Sequence, residues 1–203
     1  VPLTEEVPVR GSSEHYYSAQ KAACEAMLAD ITKDSPLEVF VLRPCVVAGP
    51  SATALADAMP WNQLPGPMRA LVKFAKAIPI LKPVVPDPGF PLQLVHHDDV
   101  ASAIALAATA PAPPGAYNIA GDGVVAVTDV AKALGGRAVR VPAVAASAAS
   151  AAISRVPLVP SMLEWLHTAR TSMVMDTTKA KTQLGWRPVN TSAQALAALA
   201  SAL

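Results

Sequence analysis

Aromatic side chains are scarce in this sequence, at 4% of residues, and neither sign of charge predominates. Sixteen Lys and Arg stand against 15 Asp and Glu, for a net charge of +1. A nucleic-acid surface needs clustered cations, with aromatic faces between them where bases stack. No such cluster occurs, so a nucleic-acid partner is excluded. Cysteine occurs twice, as Cys24 and Cys45, without the paired spacing of a zinc site or a disulfide framework. That usage fits a reduced, cytoplasmic protein. Long hydrophobic runs are missing as well. The longest, from Val141 to Ile153, is rich in Ala and Ser and falls short of the roughly 20 apolar residues of a membrane span. No membrane partner is expected, and no fixed-period repeat or signal-peptide pattern is visible.

What is present is an Ala-rich chain of 203 residues, 52% hydrophobic and punctuated by 20 prolines. That length can bury the core of one large domain or two small ones. Residues 1–13 read as an acidic loop, with Ser12 or Ser13 placed to cap a helix over 14–32. In that helix Tyr17, Lys21, Cys24, Met27/Leu28 and Ile31 recur at helical spacing. Leu37–Leu42 is β-branched and apolar between turn signals, as a buried strand is. The stretch 51–91 is proline-rich, with one helix expected over 67–77 and an extended or looped run after it, long enough for a lid or substrate loop. Strands follow at 92–95, 116–120 and 138–141. Helices are expected over 98–108, with Asp98 as N-cap, over 128–134, and over 143–154, 160–170, 178–184 and 191–202.

The spacing of Tyr17 and Lys21 carries chemistry. Four residues apart on a helix, they share a face one turn apart. A phenol has a pKa of about 10 and needs a cation beside it, in a dry site, before it can exchange protons near neutral pH. An exposed pair on an ordinary helix is the plain alternative.

Five segments taken in order resemble the extended short-chain dehydrogenase/reductase family, the NAD-dependent epimerase/dehydratase group. They are Tyr17-Ser-Ala-Gln-Lys21 with Ala22 to Glu25, and Val41-Leu-Arg-Pro44 running to Gly49-Pro50. Next come Leu94-Val-His-His-Asp-Asp-Val-Ala101 and Tyr117-Asn-Ile-Ala-Gly121. The last is Asp176-Thr-Thr-Lys179 leading to Leu184-Gly-Trp-Arg-Pro188. The resemblance implies an α/β fold: the C-terminal portion of a Rossmann-type parallel sheet with a small, mostly helical substrate-binding subdomain. Residues 1–50 and 92–120 would belong to the Rossmann-like part, and 51–91 and 121–203 to the subdomain and C-terminal helices. It implies NAD or NADP as cofactor, Tyr17 and Lys21 as the catalytic pair, and cofactor contacts from Lys21, Pro44, Cys45, Val46 and Val47. The reaction implied is that of an oxidoreductase, epimerase or dehydratase acting on a secondary alcohol or ketone, a small-molecule substrate. A non-catalytic, reductase-like binding module is the alternative.

Two departures from the family pattern carry expectations of their own. Nothing before Tyr17 can be the family's glycine-rich phosphate loop, and Gly121-Asp-Gly-Val-Val-Ala126 lacks the acidic residue that would take a ribose. The chain is therefore expected to be the C-terminal part of a longer protein and inactive alone. Its exposed sheet edge is expected to be covered by the N-terminal half or by another copy, as in a homodimer. The arginine that nucleotide-sugar epimerases place before the His-x-x-Asp strand is replaced by Leu92, beside Gln93, and Arg170 lies off the second arginine position. A diphosphate without guanidinium partners is poorly held, which argues for a less charged substrate than a UDP-sugar. His96-His97-Asp98-Asp99 is not expected to hold a metal, because adjacent strand residues point to opposite faces and no second His/Asp cluster is available to complete the coordination. Asp99 is expected to bridge segments by hydrogen bonds, Cys45 to fill space, and Trp186 to anchor packing. The Ala/Leu helix 193–203 suits either core or an oligomer contact.

Overall fold

The computed structural model describes residues 2–11, 16–59, 62, 64–68, 82–141 and 174–203. The expected helices over 143–154 and 160–170, and nearly all of that over 67–77, lie outside the described residues.

Two parallel strand pairs form the centre. β1 (Phe40–Pro44) pairs with β6 (Gly115–Ile119), from Phe40 opposite Gly115 to Pro44 opposite Ile119. β2 (Val46–Ala48) pairs with β5 (Leu94–His96), Val46 opposite Leu94. The Cys45 N–H donates to the Ile119 carbonyl and the Gly121 N–H to the Leu94 carbonyl, both at 3.0 Å, so the pairs are bridged to each other. Parallel strands are buried on both faces and therefore read as continuous apolar runs, which is what Val46-Val47 and Leu94-Val95 are. Their side chains alternate between two cores. Leu94 and Val46 join Leu55, Val125, Val130, Leu196 and Leu199 on one side. Val95 and Val47 join Tyr117, Ile119, Leu184 and Trp186 on the other.

Helices are set between and beside these strands. α1 (Tyr16–Thr32) precedes β1, and α2 (Ala54–Asp57) follows β2. α3 (His97–Thr109) continues directly from β5, with Asp98 and Asp99 in its first turn, where the amide dipoles favour negative charge. The observed N-cap is His96, not Asp98: the His96 ring accepts the Asp98 N–H. Two short pairs lie outside the centre. β3 (Val84–Asp87) runs parallel to β8 (Arg137–Arg140), and β4 (Pro91–Leu92) antiparallel to β7 (Val125–Ala126). α4 (Val127–Ala133) lies between β7 and β8, and α5 (Thr178–Thr182) and α6 (Ser192–Ser201) end the chain. α6 opens on a capping box: Thr191 Oγ1 accepts the Gln194 N–H at 3.2 Å, and Gln194 Oε1 accepts the Thr191 N–H at 2.8 Å. It buries Ala195, Leu196 and Leu199, so it serves the core.

Elsewhere the elements depart from expectation by a few residues. β1 starts at Phe40 rather than Leu37, which is exposed just after Pro36. The strand expected over 92–95 is two strands, broken at Gln93. The N-terminal stretch is pinned rather than loose. The Leu3 N–H donates to Val174, the Asp176 N–H donates to Leu3, and Glu5 Oε1 accepts the Asn118 N–H at 2.8 Å.

Candidate active site

Tyr17 and Lys21 lie on one face of α1, with the Lys21 ammonium 5.5 Å from the centroid of the Tyr17 ring. The cation thus sits by the ring, the arrangement of a cation–π pair. Tyr17 is 60% exposed. Most of the stripe to which it belongs is turned outward: Met27 is 65% and Ile31 72% exposed, while Leu28 of the stripe and Glu25 beside it are partly buried.

Arg43 fixes this helix relative to the sheet. It stands at the carboxyl end of β1 and forms an ion pair with Glu25 of α1. Its Nη1 also donates to the Glu5 carbonyl at 3.1 Å. One guanidinium therefore ties β1, α1 and the N-terminal stretch together. Sequence reasoning treats Arg43 only as a strand end. The single available signal was a cation closing an apolar strand, and nothing in the spacing pointed to Glu25, 18 residues earlier.

Cys45 makes the step from β1 to β2, whose first residues are Val46 and Val47, and Pro44 stands at the carboxyl end of β1. Ligands of open α/β sheets bind beyond such ends. The Cys45 side chain points inward, and burial raises its thiol pKa to about 12. It is a neutral filler and no nucleophile. In the folded chain Cys45 is expected to resist alkylation up to about pH 9, whereas Cys24, exposed on α1, is modified first. Mass spectrometry of peptides after brief iodoacetamide treatment checks the order.

Asp99 is a bridge, as expected. Its buried carboxylate accepts from the Val189 N–H at 2.8 Å, the Asn190 N–H at 3.0 Å and Asn190 Nδ2 at 3.1 Å. Trp186 is fully buried and donates its indole N–H to the Asp99 carbonyl at 2.9 Å. Leu92 packs against the first core, and Gln93 Oε1 accepts the Met175 N–H at 2.7 Å. Gly121 is closed in by backbone: a Cβ there would lie 2.5 Å from the Leu94 carbonyl oxygen. Asp122, next in the chain, pairs with Lys181 at 2.6 Å. A packed glycine followed by a carboxylate does not make a phosphate loop.

His96 and His97 do not point to opposite faces. The chain passes from strand to helix between them, and their rings lie 4.3 Å apart.

Across this arrangement, from the Tyr17 helix to the β6 strand end, the model of the NAD dependent epimerase/dehydratase family matches residues 1–120. The chain belongs to that family. No curated protein sequence matches it. Among solved structures, this epimerase/dehydratase chain is similar to dTDP-glucose 4,6-dehydratase from Bacillus anthracis in complex with NAD. The two are 17% identical with a TM-score of 0.62, over 100% of this chain and 55% of that one. A UDP-galactose 4-epimerase gives 21% identity and a TM-score of 0.61, over 100% and 57%. UDP-glucuronic acid 4-epimerase from Bacillus cereus, in complex with NAD, gives 14% and 0.62, over 99% and 55%. At such identities the likeness is one of fold: an α/β architecture with a Rossmann-type parallel sheet. The chain spans little more than half the length of these structures. Among the described residues no helix is long and apolar enough to cross a membrane.

Proposed function

We propose that this chain carries the proton-transfer and substrate side of an NAD(P)-dependent epimerase, dehydratase or dehydrogenase acting on a secondary alcohol or ketone. The observation that carries the reading is the Tyr17–Lys21 pair, on one exposed face of α1 in a chain of this family. The Tyr17 phenol exchanges a proton with the substrate oxygen. The Lys21 ammonium, on the same face of α1, donates to the hydroxyls of the cofactor ribose. Pro44 to Val47, at the carboxyl end of β1, borders the nicotinamide. NAD(P), when bound, takes up or returns the hydride.

The residues fit one half of such a cofactor only. A tyrosine and a lysine on one face suit the nicotinamide ribose, whereas Gly121-Asp122-Gly123 offers no cradle for a pyrophosphate. We therefore assign the pyrophosphate and adenine to an N-terminal portion, in line with the part of the similar structures that this chain does not span. Residues 1–50 and 92–120 would complete the Rossmann-like domain with it, and 51–91 and 121–203 the substrate side. Among the described residues β1 pairs only with β6. Its other edge is the place for a strand of that portion, or of a second copy in a homodimer.

As substrate we favour a molecule less charged than a nucleoside diphosphate sugar. The position at which a guanidinium would clamp a diphosphate is Leu92, held in the core, and the Gln93 side chain is committed to Met175.

Calorimetric titration tests the division of labour. The 203-residue chain alone is expected to show no measurable NAD(H) binding, and joining it to its N-terminal portion to restore binding and turnover. Tight NAD(H) binding by the chain alone would sink the reading.

A further inference from the structure

We propose that His96, His97 and Asp98 form a binding site for one divalent transition-metal ion of the zinc type, with a fourth position open to solvent. The site is independent of the redox chemistry above. The turn from β5 into α3 brings both imidazoles to the same side of the chain. One ligand atom from each of the three residues falls within 4.8 Å of the others. The Asp98 carboxylate faces both rings, with Oδ2 3.5 Å from His96 Nδ1 and Oδ1 3.4 Å from His97 Nε2. Metal bonds of about 2.0–2.1 Å at tetrahedral angles place neighbouring ligand atoms roughly 3.3–3.4 Å apart. The two observed imidazole–carboxylate separations, one to each Asp98 oxygen, are close to that value, and all three ligand atoms lie within 4.8 Å of one another, so side-chain adjustment rather than refolding brings them onto one ion. Two imidazoles and one carboxylate suit Zn2+ and its neighbours in the divalent series rather than Mg2+ or Ca2+.

The surroundings hold the ligands in place. The His96 side chain is buried at the strand end. Gly49, at φ +144°, lies directly under the rings, and a Cβ there would overlap the His97 imidazole. Among the described residues His97 Nδ1 has no hydrogen-bond partner and is buried, so packing holds the ring with Nε2 toward Asp98. The Asp98 side chain is 77% exposed, which leaves an approach from solvent. Two effects oppose binding. His96 Nδ1 already accepts the Asp98 N–H, though at 3.3 Å, and the first turn of α3 disfavours a cation. The Asp98 charge offsets the second, and the first is a long contact that a metal bond replaces.

The test is a Co2+ titration of the chelator-treated chain, read by visible ligand-field absorption and followed by Zn2+ competition. A Cys24→Ser background removes the exposed thiol on α1 as a competing ligand. The expected result is one ion per chain, displaced by Zn2+. Binding should be about tenfold weaker or worse in Asp98→Asn and in His97→Gln, with circular dichroism unchanged. Because Asp98 lies at the surface, its substitution decides the matter even where His97→Gln perturbs the turn. Absence of saturable binding, or binding that Asp98→Asn leaves intact, overturns the proposal.

Discussion

Tyr17→Phe, in the chain joined to its N-terminal portion, is expected to cut turnover by about 10²–10⁴-fold, the range that a positioned acid or base contributes. The substitution removes one hydroxyl from a side chain that is 60% exposed, so folding and packing are little disturbed. Cofactor affinity should be nearly unchanged, because the phenol serves the substrate oxygen rather than the nucleotide. Lys21→Ala should behave differently. Its ammonium faces both the Tyr17 ring and, in our reading, the cofactor ribose, so kcat and NAD(H) affinity should fall together. Measuring kcat and the calorimetric Kd separately for each variant distinguishes the two roles. A Tyr17→Phe enzyme of full activity removes the phenol from the mechanism.

The largest expected effect on stability is that of Trp186→Ala. The side chain is fully buried among Val95, Tyr117, Ile119, Ala180 and Leu184. Truncating a buried tryptophan costs about 3–5 kcal/mol through lost transfer energy and the cavity left behind, a large share of the roughly 5–15 kcal/mol of a typical domain. The indole N–H adds bonds to the Asp99 carbonyl and, at 3.1 Å, to Ser102 Oγ. Trp186→Phe keeps most of the apolar bulk and loses these bonds, which predicts a cost of about 1–2 kcal/mol. Urea titration of both variants should show midpoints falling in that order. Equal losses would mean that hydrogen bonding, not filled volume, is what Trp186 supplies.

Most strands of the centre were legible because parallel strands buried on both faces need unbroken apolar residues, and Val41-Leu42 and Leu94-Val95 provide them; β2 (Val46–Ala48) was not, because its three residues lie between the turn signals of Pro44 and Gly49-Pro50. α3 and α6 were legible from period, though the N-cap of α3 is His96 rather than the expected Asp98. β3 was not, because prolines read as loop punctuation and hide the strand residues set among them. Val84–Asp87 contains Pro86 and, among the described residues, pairs with β8 alone. α2 has four residues, too few for a periodic signal. For α1, periodicity revealed a stripe but not its side. A repeat at helical spacing says which residues share a face, whereas what that face meets depends on the rest of the molecule. The candidate pair Tyr17 and Lys21 was readable from spacing, since one helical turn guarantees their proximity. Arg43 was not, because its partners Glu25 and Glu5 come from distant positions. His96 and His97 depart from expectation for a local reason: the alternation rule holds only inside a strand, and the strand ends between them.

The alternation of β5 has a mechanical consequence. Leu94 belongs to one core and Val95 to the other, as do Val46 and Val47 of its neighbour β2, so single peptide units link the two apolar clusters found among the described residues. Neither cluster can loosen without shifting the strand on which the other is built. Heat or denaturant should therefore meet a coupled pair of cores that melt together, and damage around Trp186 should be felt across the strand at Leu196 and Leu199.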